Sequence, residues 1–280
     1  MMPKLNVQKI GLDKTFFYNL SLFIMFSGSV VTIQLYPSYL AMILLIVSLF
    51  IMMYFFRNLK NIVLTCCAFI VGFMLFQIIQ KPLIMWVMEQ GFSLEIAKIS
   101  TRLLLVIYIL LLLSTALIDD KKPIHFWRMG DFKARISFPW IWRGFDHPPI
   151  WFFISIFSII TSVIFIVTIN VLPNVNFTRE LLLYSLLFAG VNAPLEEVMW
   201  RGFILSRFTE SMGVVSALIV TSFSFGLYHY ALGIPILACL GFGLGSIYMT
   251  GLTLKSGGLL PVIIFHFVIN FWMFMSGTIM

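Results

Sequence analysis

Residues 181–206 read LLLYSLLFAGVNAPLEEVMWRGFILS. The stretch is long enough to cross the ~20 residues of helix that a hydrocarbon core requires, yet its second half carries Asn192, Glu196, Glu197 and Arg201. An ionised group at the bilayer centre costs roughly 2.5–3.5 kcal/mol on insertion scales, so charges kept there face a bundle interior and are functional candidates by default. This one segment therefore implies both a membrane environment and neighbouring helices that receive its charges.

The remainder of the chain supplies those neighbours. Apolar runs recur at about 15–35, 38–56, 62–80, 99–118, 150–171, 181–206, 213–229, 234–253 and 258–276. Of 280 residues, 61% are hydrophobic and 10% charged, and the mean hydropathy is +1.03. Too little polar surface exists to face water. Lipid offers no partner to a free backbone group, so each run must be a helix. The expected fold class is all-α, a polytopic transmembrane helical bundle of about nine spans, with eight as the alternative count.

The formal charge of +7 does not point to nucleic acid, because the cations lie between apolar runs rather than along one polar face. They report topology. With the N-terminus inside, the cytoplasmic segments hold Lys4, Lys9, Lys14, Arg57, Lys60, Lys121, Lys122, Arg128, Lys133, Arg135, Arg143, Arg207 and Lys255, against Lys81, Lys98, Arg102 and Arg179 outside. This asymmetry follows the positive-inside rule. The expectation is an integral, multi-pass protein of a bacterial cytoplasmic membrane with a cytoplasmic N-terminus, its first span an uncleaved anchor. Cys66, Cys67 and Cys239 have no metal-type spacing and read as packing residues.

Three regions are expected. Residues 1–118 form a four-span scaffold with almost no ionisable groups at membrane depth, a possible face for a membrane protein partner. Residues 119–149, DDKKPIHFWRMGDFKARISFPWIWRGFDHPP, form a basic, aromatic cytoplasmic loop of headgroup-layer composition, in which His125 and His147 have no catalytic role. Residues 150–280 form the C-terminal membrane domain. No internal repeat of the kind many secondary transporters carry is visible.

Within the C-terminal domain, Glu197 and Arg201 are four residues apart, share a helical face and can pair. Glu196 points about 100° away, lacks that partner and is freer to hold a water. Gly190 and Pro194 are expected to loosen the helix just upstream. Phe225 and His229 share a face of the next span, as do His266 and Asn270 of the last. A glutamate and a histidine can position and deprotonate a water, and histidine and asparagine donors can stabilise the oxyanion formed at an amide carbonyl. The set Glu196, His229 and His266 could instead bind Zn²⁺ through three ligands and an open position, although no H-E-x-x-H pair is present. One tension remains in depth: at ~1.5 Å per residue, His229 lies about 24 Å from Gly213, and Glu196 about 16 Å from Arg207.

The ordered segments EEVMWR at 196–201, FGLYH at 225–229 and HFVIN at 266–270 resemble the CAAX protease and bacteriocin-processing family of intramembrane glutamic endopeptidases, whose pattern is E-E-x-x-x-R, F-x-x-x-H and H-x-x-x-N. The resemblance covers about residues 181–276. It implies Glu196 as catalytic base, His229 as its partner on the water, His266 with Asn270 as the oxyanion site, and Glu197, Arg201 and Phe225 as supports. It also implies cleavage of membrane-associated peptides or prenylated C-termini from the cytoplasmic side, with no cofactor, while some relatives of this kind serve in bacteriocin immunity. Two other classes compete: a catalytically silent membrane partner, regulator or immunity protein, and a proton-coupled transporter that uses Glu196 and the histidines as a relay. Oligomeric state is left open.

Overall fold

The computed structural model describes residues 14–55, 59–118, 124–171 and 178–278. Lys4, Lys9, Arg57, Lys121 and Lys122, which enter the charge asymmetry above, lie outside the described residues. The chain is an all-α bundle. Its helices are α1 (Lys14–Leu35), α2 (Tyr39–Phe55), α3 (Lys60–Glu89), α4 (Leu94–Thr101), α5 (Leu105–Ile118), α6 (Ile150–Val171), α7 (Arg179–Glu197), α8 (Leu205–Met212), α9 (Val214–Tyr228), α10 (Ile236–Ser256) and α11 (Leu260–Met275). Among the described residues, seven helical stretches are long and apolar enough to cross a membrane, and α2 and α11 are shorter apolar helices.

The boundaries depart from the sequence reading in three places. Helix α3 continues past residue 80 to Glu89, carrying Pro82 inside it. The next span starts at Leu94, not 99, where Ser93 caps α4 by accepting the Ile96 N–H. Most consequentially, the span that begins with α7 does not end near 206. It passes through a π-helical turn, Val198–Ile204, straight into α8, with Leu205 N–H bonding back five residues to Trp200 O. The expected loosening by Gly190 and Pro194 upstream is absent, since α7 is continuous through both; the departure from α geometry follows the glutamates.

Helix α7 packs on α11, and α9 on α10. Gly226 sets the second contact: a Cβ there would meet the Cys239 carbonyl and the Gly243 backbone, so only glycine lets α9 and α10 approach this closely. The N-terminal helices lie behind this pair. Phe26, Phe69, Tyr108, Trp200, Phe208 and Tyr228 form one buried aromatic core, which joins α1, α3 and α5 to the helices that bear the site. Helix α1 also runs alongside α9 through polar contacts, Asn19 to Ser216 at 2.8 Å and Ser27 with Ser224 at 2.9 Å.

The basic aromatic loop, described from residue 124, includes a two-stranded antiparallel ribbon, β1 (Phe138–Pro139) with β2 (Gly144–Asp146). Ile136 and Ile141 anchor it in a core with Phe153, Leu252 and Val262, while Trp127, Trp140 and Phe145 stay exposed. That amphipathic arrangement suits the headgroup layer. Cys66 and Cys239 are buried and free.

Candidate active site

The depth tension is resolved by α8. Because the helix continues to Met212 and turns at Gly213, whose φ of 78° a side chain would strain, Glu196 stands 17 residues before that turn and His229 16 after it. The two are level. The α10–α11 turn is tied to the loop: Leu259 N–H bonds to Arg128 O at 3.0 Å and Asp131 N–H to Ser256 O at 2.8 Å. His266, seven residues beyond Leu259, lines the same cavity as Glu196 and His229.

Glu196, Glu197, Arg201, His266 and Asn270 are all buried, and His229 nearly so at 9% exposed. Arg201 donates from one guanidinium nitrogen to Glu197 Oε1 at 2.7 Å and from the other to Ser246 Oγ at 2.7 Å. Its charge also lies over the Phe225 ring, 4.3 Å from the centroid. Glu197 Oε1 further accepts a bond from His266 Nδ1 at 2.6 Å. The π turn carries Arg201 into this network while Trp200 packs against Phe225 and Tyr228.

His229 is oriented by its own helix end. At the change from α9 to the 3₁₀ turn His229–Leu232, its backbone N–H bonds Gly226 O, leaving Phe225 O without its α-helical donor. The His229 ring takes that carbonyl, Nδ1 to O, at 2.8 Å. A carbonyl only accepts, so Nδ1 carries the proton and Nε2 of the neutral ring presents a lone pair. The F-x-x-x-H spacing thus fixes a tautomer as well as a face.

Against these paired groups stand unpaired ones. Glu196 Oε2 is buried with no hydrogen-bond partner, 3.5 Å from His266 Nε2. Asn270 Nδ2 and Asn192 Oδ1 are likewise buried and unbonded. All three residues line one cavity of about 300 Å³, shared with His229, His266 and Phe225. Among the described residues, no group of three or more His, Cys, Asp or Glu is arranged to hold a metal ion.

The structure brings together every residue the sequence singled out, Glu196, Glu197, Arg201, Phe225, His229, His266 and Asn270. His125 lies apart, its Nε2 2.7 Å from Glu210 on α8. Four residues were given no part in the site by the sequence reading. Asn192 is one turn before Glu196 on the same face, a signal that was present. Ser246 gave none. Gln34 of α1 donates to Leu227 O at 3.0 Å and accepts from Ala231 N–H at 2.6 Å, clamping the turn that carries His229. Arg102 lines the cavity from the N-terminal region, which was expected to bear no chemistry.

Residues 178–272 match the family model described as Type II CAAX prenyl endopeptidase Rce1-like. No curated protein and no solved structure matches the chain.

Proposed function

Because its residues 178–272 belong to the CAAX protease family, we propose that this integral membrane protein is an intramembrane endopeptidase in which Glu196 activates a water. The observation that carries the reading is the coexistence, in one cavity, of an unbonded carboxylate oxygen on Glu196 and an unbonded donor on Asn270, beside two histidines. Buried polar atoms without partners are costly. A reacting water and a developing oxyanion are the partners they await.

A water held between Glu196 and His229 Nε2 gives its proton to the carboxylate as its oxygen attacks the peptide carbonyl carbon. The oxyanion accepts hydrogen bonds from Asn270 Nδ2 and from His266 Nε2, which carries a proton when the ring is an imidazolium supported by Glu197. The intermediate collapses by breaking the C–N bond, and Glu196 returns the proton to the leaving amine. Glu197 and Arg201 hold His266 and each other, so the two adjacent glutamates divide into a base and a brace.

The substrate is a membrane-associated peptide or protein reached within the lipid bilayer; nucleic acid has no place in the reading. In this reading the N-terminus is cytoplasmic, which the excess of basic residues in the loops assigned to that side supports. Mass spectrometry of membrane peptides from cells carrying either the native chain or Glu196→Gln tests the function. The native chain is expected to generate peptide termini that the variant lacks; identical termini would refute it.

A further inference from the structure

Arg102 begins the 3₁₀ turn Arg102–Leu104 between α4 and α5, outside the family-matched segment. It lines the cavity with Glu196, His229 and Asn270 and lies within electrostatic reach of His229 and Tyr228. Its guanidinium carbon stands 5.3 Å from the Phe188 ring centroid, and its Nε is buried without a hydrogen bond. Among the described residues, no carboxylate stands within ion-pair distance of it. Arg201, behind the cavity wall, is by contrast matched by Glu197 and Ser246.

A half-buried cation set against one aromatic face, with its Nε unbonded, is incompletely compensated. A planar guanidinium fork fits a carboxylate, bidentately and with directional bonds. Phe188 beside it and Phe157, Leu232 and Phe242 elsewhere in the lining give the cavity an apolar wall, which suits a peptide bearing a single negative charge better than a polyanion. Phe188 precedes Glu196 by eight residues on α7, about 12 Å at ~1.5 Å per residue. An extended peptide covers that in about four residues.

We propose that Arg102 is the anion-binding group of this cavity, pairing with a carboxylate of the bound peptide within about four residues of the scissile bond and selecting substrates by that charge. The assignment rests on the peptidase reading for its ligand. The carboxylate is either the peptide C-terminus or an acidic side chain.

The test uses the purified full-length chain in nanodiscs with Glu196→Gln, which binds without cutting, and a dansylated pentapeptide of Leu, Val and Ala. Three forms are titrated by fluorescence: the free acid, the C-terminal amide, and the amide with one Asp in its third position. The free acid or the Asp amide is expected to bind about tenfold more tightly than the plain amide, and which of the two does so identifies the source of the charge. Adding Arg102→Gln brings the free acid and the Asp amide to the affinity that the plain amide has for the same variant, an unchanged Tm showing an intact fold, and Arg102→Lys keeps part of the preference. Indistinguishable titrations of all three peptides, at whatever affinity, overturn the proposal, as does a preference that survives Arg102→Gln. Since nothing is cleaved in this assay, its outcome is separate from whether the native chain is a peptidase.

Discussion

His266 is bonded to Glu197 through Nδ1 at 2.6 Å and faces Glu196 through Nε2 at 3.5 Å. One imidazole thus joins the two adjacent glutamates, tightly to one and loosely to the other. On the Glu196 side the carboxylate oxygen has no hydrogen bond and faces the cavity, while the Glu197 side fixes the ring.

This asymmetry predicts opposite effects on stability. Glu197→Ala leaves Arg201 and His266 buried without their carboxylate, and removal of one partner of a buried pair costs about 3–5 kcal/mol. Thermal unfolding in detergent should show a clear drop in Tm for Glu197→Ala. Glu196→Gln, which breaks no bonded pair, should unfold near the native temperature.

Gln34 holds the His229 turn from α1 through two hydrogen bonds. Gln34→Ala frees that turn without touching the reacting groups. Peptide cleavage is expected to slow by about tenfold, on the scale of one or two lost hydrogen bonds, and kcat should fall more than KM rises. An unaltered kcat would mean that α1 does not position His229.

Gly226→Ala places a methyl group against the Cys239 carbonyl. Overpacking of this kind costs about 1–3 kcal/mol, and here the strain moves the α9 end that carries His229. Both Tm and cleavage rate should fall. A variant as stable and active as the native chain would show that α9 and α10 part without consequence.

The proposed chemistry uses Glu196 and His229 on water directly, with Glu197 Oε1 already occupied by Arg201 and His266. Exhaustive dialysis against EDTA should therefore leave cleavage unchanged. Loss of activity on chelation, restored by Zn²⁺, would support the alternative ligand set of Glu196, His229 and His266.

Hydropathy made the spans legible, and helical spacing made Glu197 and Arg201 a pair, because both depend on residues close in sequence. The depth of Glu196 was misjudged for an equally local reason. Arg207 was read as the membrane boundary, whereas its helix runs on to Met212 and the turn falls at Gly213. The π turn carries no composition signal that distinguishes it from α-helix. Gln34 and Arg102 lie 195 and 127 residues from His229, in a region whose apolar runs hide single polar residues. Their contribution comes from tertiary packing, which periodicity does not report.

The account turns on Glu196. The most direct measurement is the cleavage rate of a substrate peptide by purified Glu196→Gln beside the native protein, with Tm recorded for both. A general base contributes about 10²–10⁴-fold, so the variant should lose at least about a hundredfold in kcat at an unchanged Tm. A folded Glu196→Gln protein that cleaves at the native rate would contradict it.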